Sequence, residues 1–325
     1  MSTYLVTGAA GFIASRVVEL LLAEGHTVVG VDNMNSAYDV RMKEYRLAKL
    51  QGRPGFSFQR MDIAHRDEVD ALGEKVGQID AIFNLAARAG VRSSVLDPWV
   101  FVDTNTTGTL NLLDLCRRRG IPKFILASTS SLYGSHNPMP FKEDANTDLP
   151  LQPYAASKKG AESMCYAYHY LHGVDVTVFR YFTVYGPAGR PDMVMFRFAQ
   201  WISEGRTVVV NGDGEQSRGF TYLDDIARGT ILGLKPLGYE IINLGGHEVI
   251  TVNQLIGMLE QRIGRKAQVD HQPLHPADAL GNLADVEKAR RLLGWNPQVN
   301  LEEGVTRLVD WYMAERSWAS QIATP

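Results

Sequence analysis

Thr3-Tyr4-Leu5-Val6-Thr7-Gly8-Ala9-Ala10-Gly11-Phe12-Ile13-Ala14 carries the first regular pattern of the chain. Residues 4–7 are a short apolar run of the kind buried in a parallel sheet. An apolar helical pattern runs from Phe12 to about residue 24. Residues 27–32, Thr-Val-Val-Gly-Val-Asp, read as the next strand. The unit is strand, glycine turn, helix, strand, closed by an acid. Gly8 lets the chain turn sharply, and Gly11 lets backbone N–H groups approach a pyrophosphate at the helix N-terminus. Ala14 stands where a third glycine is commoner, and one methyl still allows close helix–strand packing. Asp32 lies 24 residues beyond Gly8. Its carboxylate suits the hydroxyls of an adenosine ribose and repels a 2′-phosphate, which favours NAD over NADP.

The alternation continues outward from this unit. Residues 56–62 form a strand pattern ending in Asp62-Ile63, and residues 79–85 form another that runs into Ala86-Ala87. Small residues there let a dinucleotide lie across a strand end. Residues 99–119 read as one long helix with Thr104 and Asn105 near its start. Residues 123–128 are a strand ending at Ser128. Repeated strand–helix alternation implies a Rossmann-type, doubly wound parallel α/β sheet with right-handed crossovers. Ligands bind such sheets at the carboxyl ends of the strands, where Asp32, Asp62, Leu85 and Ser128 all stand.

The next segment carries the chemistry. It opens with Ser128-Thr129-Ser130-Ser131-Leu132-Tyr133-Gly134 and ends with Tyr154-Ala155-Ala156-Ser157-Lys158. A Tyr and a Lys four apart on a helix share a face. A cation near the phenol favours the phenolate, so the Tyr154 pKa is expected to fall and the residue to serve as a base.

Composition excludes several classes. The 325 residues are 45% hydrophobic and 21% charged, with net charge −3. That allows a sizeable core and gives no basic field for nucleic acid. No apolar run is long enough to span a bilayer. Cys116 and Cys165 form no disulfide framework or metal-spaced cluster. His271 and His275 are separated by Pro273 and lack a third ligand, so no metal is expected. No charged n-region with an apolar h-region is visible, and the expectation is a soluble, cytoplasmic protein.

Together these residues resemble the extended short-chain dehydrogenase/reductase family. The motifs are Gly8-x-x-Gly11-x-x-Ala14, Asp32-Asn33, Asp62-Ile63, Leu85-Ala86-Ala87, the 128–134 segment and Tyr154-x-x-x-Lys158. The similarity spans essentially the whole chain, and within the family it is to the nucleotide-sugar 4-epimerases. Arg180-Tyr-Phe-Thr183-Val-Tyr-Gly-Pro-Ala-Gly-Arg190-Pro-Asp-Met193 narrows it to the branch that interconverts UDP-glucuronate and UDP-galacturonate. Neutral-sugar members tend to carry Asn where Thr183 stands.

The resemblance implies bound NAD contacted by Gly8, Gly11, Phe12, Ile13, Asp32, Asn33, Asp62, Ile63, Leu85, Ala86, Ala87, Thr104, Ser128, Tyr154, Lys158 and Phe182. It implies Tyr154 as base, with Lys158 on the nicotinamide ribose and Thr129 at the sugar's 4-oxygen. Thr129, Ser130 and Thr183 are candidates to hold the uronate carboxylate. Arg190 could pair with that carboxylate or stack on uracil. Arg92 is a sugar-side candidate or a surface arginine. Val209, Asn211 and Arg218 would contact uridine and diphosphate, and Asp278 falls where the family keeps an acid. His275 stands where neutral-sugar members often have a diphosphate-binding Arg, a departure that leaves that contact open.

The expected division is a dinucleotide-binding domain over residues 1–181 plus about 220–247. A smaller UDP-sugar-binding α/β domain takes about 182–219 and 248–325. Family members commonly dimerise through the helices at 99–119 and 154–172, where Leu110, Leu113, Met164 and Tyr168 could serve or could face the sheet. The alternatives are a UDP-glucose/UDP-galactose 4-epimerase, a UDP-glucuronate decarboxylase and a non-catalytic NAD-binding module. A 4,6-dehydratase would want an Asp-Glu pair after Thr129, where Ser130-Ser131 stands.

Overall fold

The computed structural model describes residues 1–273 and 281–324. The first half follows the expected alternation, as β1 (Thr3–Thr7), α1 (Phe12–Ala23), β2 (Thr27–Asp32), α2 (Arg41–Ala48), β3 (Phe56–Arg60), α3 (Arg66–Lys75) and β4 (Ala81–Asn84). Two short helices come next, α4 (Val91–Leu96) and α5 (Trp99–Phe101). A π-helical turn, Val102–Thr107, leads into α6 (Gly108–Arg119). The single helix expected over 99–119 is therefore interrupted, and Thr104 and Asn105 lie buried on the widened turn. Such insertions are frequent at functional sites.

β5 (Lys123–Thr129), α7 (Pro153–His172), β6 (Asp175–Tyr181) and β7 (Thr183–Tyr185) follow, then α8 (Val194–Glu204), β8 (Thr207–Asn211) and β9 (Ser217–Tyr222). The chain continues through α9 (Leu223–Leu232), β10 (Tyr239–Leu244), β11 (Glu248–Thr251), α10 (Val252–Ile263) and β12 (Gln268–Gln272). It ends in α11 (Glu287–Leu293), α12 (Leu301–Ala314) and α13 (Arg316–Ala319).

Seven parallel strands form the central sheet, in the order β3-β2-β1-β4-β5-β6-β10. All seven residues of β5 are buried, as expected of a central strand covered on both faces. One core holds α1 against the sheet through Val17, Val18 and Leu21. The other lies under α3, α6 and α7. Beyond Phe182 the alternation gives way to small sheets. β7 and β9 pair in parallel, β11 joins β9 in antiparallel, and β12 pairs with β8. Here Val208 and Val210 are buried in a third core with Phe198 and Leu255, and partly buried Val209 packs at its margin. α10 starts at a Thr251–Gln254 capping box.

A buried polar network ties α7 to the sheet. The Arg180 guanidinium pairs with Glu162 (2.9 Å), Ser128 donates to Glu162 (2.6 Å), and Tyr133 donates to Asn243 (2.6 Å). Side chains of Arg180 and Glu162 are only 2% and 3% exposed, so each needs the other. An unpaired charge at that depth costs several kcal/mol, on the order of 3–5.

Leu113 is fully buried, and Met164 and Tyr168 pack against the same core. Three of the four residues named for a helix-pair interface thus face the sheet. The exposed apolar side chains on these helices are Trp99, Val102, Tyr166, Tyr170 and Leu171, with Leu96 at the end of α4. They lie on the opposite flank, because the covered stripe is the one the sheet needs.

Candidate active site

The glycine turn between β1 and α1 is built for close approach. Gly8 has φ +71°, and a Cβ there would stand 2.9 Å from the Ala86 backbone. Gly8 therefore serves both the turn and its contact with the end of β4. Gly11 caps α1 without a side-chain bond, and no acid occupies the first turn. The first N–H groups of the helix are left facing outward with no internal anion, a donor set that fits a diphosphate. Phe12 packs inward and Ile13 lies partly buried behind it.

Asp32 at the end of β2 is buried and held on several sides. Its carboxylate accepts from the Met34 N–H (2.8 Å), the Ala10 N–H (3.3 Å) and the Lys43 ammonium (3.2 Å). Lys43 lies on α2 outside the motifs, and sequence reasoning missed it. Asn33 donates to Asp62 (2.7 Å), which also accepts from the Ala64 N–H (2.9 Å). Ile63 packs onto Gly108, where a Cβ would come within 2.7 Å. At the end of β4 the Ala86 N–H donates to Thr7 (3.1 Å), and Leu85 and Ala87 flank it. Asn105, beside Thr104, accepts from the Arg88 N–H (2.9 Å) and donates to Ser157 (2.9 Å). The π-helical turn thereby joins the β4 loop to α7.

The reacting end forms where β5 meets α7. Lys158 is buried and donates to the Ala127 carbonyl (2.8 Å). Burial depresses its pKa to about 8, with Cys165 and Glu162 opposing. Tyr154 was expected to be lowered by this lysine, and the structure overturns that. Burial of the phenol raises its pKa above the ordinary value. The groups that pull it down are the Thr129 hydroxyl, its hydrogen-bond partner, and the Arg190 charge. The reason is burial of the phenol; the Lys158 ammonium donates to the β5 backbone.

Thr129 accepts from the Ser131 N–H (3.1 Å), and its hydroxyl also bonds the Ser131 hydroxyl (3.2 Å). Ser130 accepts from Asn282 (3.3 Å), whose Oδ1 is buried without a partner among the described residues. Asn282 is a second residue that the motifs did not reveal; its only signal is that unpaired oxygen beside Ser130. Arg190 forks onto Asp192 (3.0 and 2.5 Å) and donates to the Ala89 carbonyl (3.1 Å). Its helix begins at Val194, so Arg190 belongs to the preceding loop and not to a helical first turn. Burial and then the Arg92 charge hold Arg197 on α8 below its usual pKa, which sets exposed Arg92 close to α8.

Thr183 opens β7 half-buried, immediately after buried Phe182. The Asn211 carbonyl accepts from Gln216 (2.6 Å), and Arg218 donates to the Ser217 carbonyl (2.8 Å) on β9. Ser128 spends its hydroxyl on Glu162, so its side chain serves the network under the sheet. Asp278 and His275 lie outside the described residues. The structure thus brings Thr129, Tyr154 and Arg190 together, with Ser130 and Ser131 next to Thr129. Val209 and Asn211 lie on β8 and Arg218 on β9, whose next residue, Gly219, donates its N–H to the Asn282 carbonyl (2.9 Å) and so links β9 to Ser130.

Comparison with known proteins adds three findings. Residues 4–245 match the NAD dependent epimerase/dehydratase family. A UDP-glucuronate 4-epimerase from Thermodesulfobacterium geofontis is 54% identical over 312 residues, 96% of each chain. Among solved structures, a UDP-glucuronic acid 4-epimerase from Bacillus cereus, in complex with UDP-glucuronic acid and NAD, superposes with a TM-score of 0.89. It is 35% identical, covering 96% of this chain and 99% of that one. A UDP-glucose 4-epimerase from Thermotoga maritima, with UDP-glucose, reaches the same TM-score at 31% identity, covering 97% and 99%.

Proposed function

The chain belongs to the NAD dependent epimerase/dehydratase family, and from that premise we propose how its residues carry out the epimerisation of UDP-glucuronate to UDP-galacturonate at C4. The enzyme is an NAD-dependent UDP-glucuronate 4-epimerase in activity, working through a transient 4-keto sugar. Equal TM-scores for a uronate and a neutral-sugar enzyme mean that the fold does not separate the two substrates. Sequence identity over the full length does.

NAD is held by the glycine turn, Asp32, Asp62 and the β4 end, and when bound it supplies the hydride acceptor and donor at C4. Tyr154 takes the proton from the sugar's 4-hydroxyl and returns it to the same oxygen once the 4-keto sugar has turned its other face to the hydride donor. Thr129 bonds the same oxygen and steadies the developing charge. Lys158 keeps the local potential positive, and Arg190 lowers the cost of the phenolate. A 4-keto uronate is a β-keto acid and tends to lose CO₂, so its carboxylate must be held in a poor geometry for that loss. Ser130, Thr183 and Arg190 are assigned to that task. The 54% identity to a UDP-glucuronate 4-epimerase over 96% of each chain is the observation that carries this reading. The bond from Arg190 to the Ala89 carbonyl, together with its lowering effect on the Tyr154 pKa, supports a place for Arg190 at the reacting sugar rather than at uracil.

The reading extends to assembly and compartment. A second copy of the chain covers the apolar flank of Leu96, Trp99, Val102, Tyr166 and Tyr170, supported by the exposure of that flank. Two buried free cysteines support work in the reducing cytoplasm, and no described helix is long and apolar enough to cross a membrane.

An NMR time course with UDP-glucuronate and no added cofactor tests the function. UDP-galacturonate without a UDP-pentose is the expected result. A UDP-pentose with CO₂ would move the assignment to decarboxylation, and no reaction even with NAD supplied would remove it.

A further inference from the structure

Arg46 on α2 lies outside every motif, yet it is 3% exposed. Its guanidinium makes five hydrogen bonds, all to neutral acceptors. Two reach the Ala188 carbonyl (3.0 and 2.7 Å), and one reaches the Gly189 carbonyl (3.2 Å). The others reach the Ala10 carbonyl (3.3 Å) and the Tyr38 hydroxyl (2.8 Å). The Phe12 ring lies 5.7 Å from its central carbon. Among the described residues no carboxylate forms an ion pair with it. A buried cation satisfied by dipoles alone is unusual, because burial of charge is tolerated chiefly through an opposite charge.

Its carbonyl acceptors belong to two loops with different tasks. Ala10 is in the glycine turn, whose outward N–H groups suit a diphosphate. Ala188 and Gly189 immediately precede Arg190, which bonds Ala89 and lies beside Tyr154. Ala188 has φ +54°, a left-handed conformation that an alanine adopts only when its surroundings impose it. The double grip on the Ala188 carbonyl is the contact that imposes it. A planar fork makes such a grip, and a lysine ammonium does not reproduce it.

We propose that Arg46 is a positioning residue coupling the two ligand sites: it holds the 188–189 backbone in the left-handed turn that presents Arg190 to the sugar, and its unbalanced charge is balanced when a diphosphate occupies the glycine turn. The first half rests on the UDP-glucuronate reading; the second needs only dinucleotide binding. Each half has its own readout. KM for UDP-glucuronate reports the loop, and the rise in unfolding temperature when NAD is returned to protein stripped of its cofactor reports the charge.

R46M should raise KM at least tenfold and cut the NAD-induced rise to less than half. R46K should retain most of the NAD-induced rise while its KM follows R46M, since it keeps the charge and loses the fork. Adding A188G to R46M should recover most of KM and none of the NAD response, because glycine adopts the left-handed turn unaided. Unchanged KM in R46M, or no recovery by A188G, overturns the loop half. An unchanged NAD-induced rise overturns the charge half, and a lower unfolding temperature with both readouts intact makes Arg46 a structural strut. If R46M does not fold, R46K decides both halves: KM at the wild-type value or a lost NAD response overturns the corresponding one. Failure of the wild type to turn over UDP-glucuronate would instead strike the function, and the NAD readout would still judge the charge half.

Discussion

The dinucleotide end and the reacting end of this molecule are built differently. At the dinucleotide end, β1, the glycine turn, α1 and β2 are consecutive, and Asp32 bonds Ala10 and Met34 within 22 residues. At the reacting end, Thr129, Tyr154 and Arg190 come from a strand end, a helix start and a loop. The first is a contiguous unit whose geometry follows from local backbone rules. The second exists only once three separate segments have packed, so its electrostatics depend on where each side chain finally points. Tyr154 shows the consequence: burial raises its pKa, and Thr129 and then Arg190, both from other segments, pull it down.

If the two ends are separable, a lesion at one leaves the other working. Tyr154→Phe should cut turnover roughly 10²–10⁴-fold while the purified protein keeps its NAD, measured by cofactor release on denaturation. Loss of NAD together with activity would merge the two ends. Lys158 belongs to both, and its charge is costly. Its folded pKa of about 8 lies below the unfolded value near 10.5, so between those pH values the unfolded chain binds more protons. Its burial therefore destabilises the fold fully below pH 8, and stability is regained as pH rises toward 10.5. Cofactor-free Lys158→Met should be inactive yet more stable at pH 7, by an amount on the order of 3 kcal/mol. That gap should close above pH 8 in denaturant titrations. A pH-independent gap would mean that the lysine has the same pKa in the folded and unfolded chain, so that burial costs its charge nothing. The smallest expected effect is at Thr183. Thr183→Asn should leave NAD binding untouched and shift preference from UDP-glucuronate toward UDP-glucose several-fold, about 1 kcal/mol. Equal specificity constants before and after would take Thr183 out of the carboxylate site.

The strand–helix alternation and the positions of Asp32, Asp62, Leu85 and Ser128 at strand ends were legible because buried parallel strands are short apolar runs and glycine turns mark their exits. Less legible were the contacts made across segments. Lys43, Arg46 and Asn282 carry no motif, and each is recognisable only by its neighbour: Asp32, the Ala188 carbonyl and Ser130. The interruption of the 99–119 helix has no sequence signal, since the apolar spacing is helical on either side of the π-helical turn. Leu113, Met164 and Tyr168 could have faced a partner or the sheet, because an apolar stripe does not say what covers it.

By itself the sequence determined the doubly wound sheet, the glycine turn with its acid, and the Tyr154–Lys158 face, all of which are set by local periodicity and by residue types with few conformational options. The tertiary structure alone decided which charge acts on Tyr154, which side chains balance Asp32, and how the Arg190 loop is held. Those outcomes depend on distances and burial between segments far apart in the chain, and in a low-dielectric interior a turn of a few ångströms decides which of two cations a phenol feels.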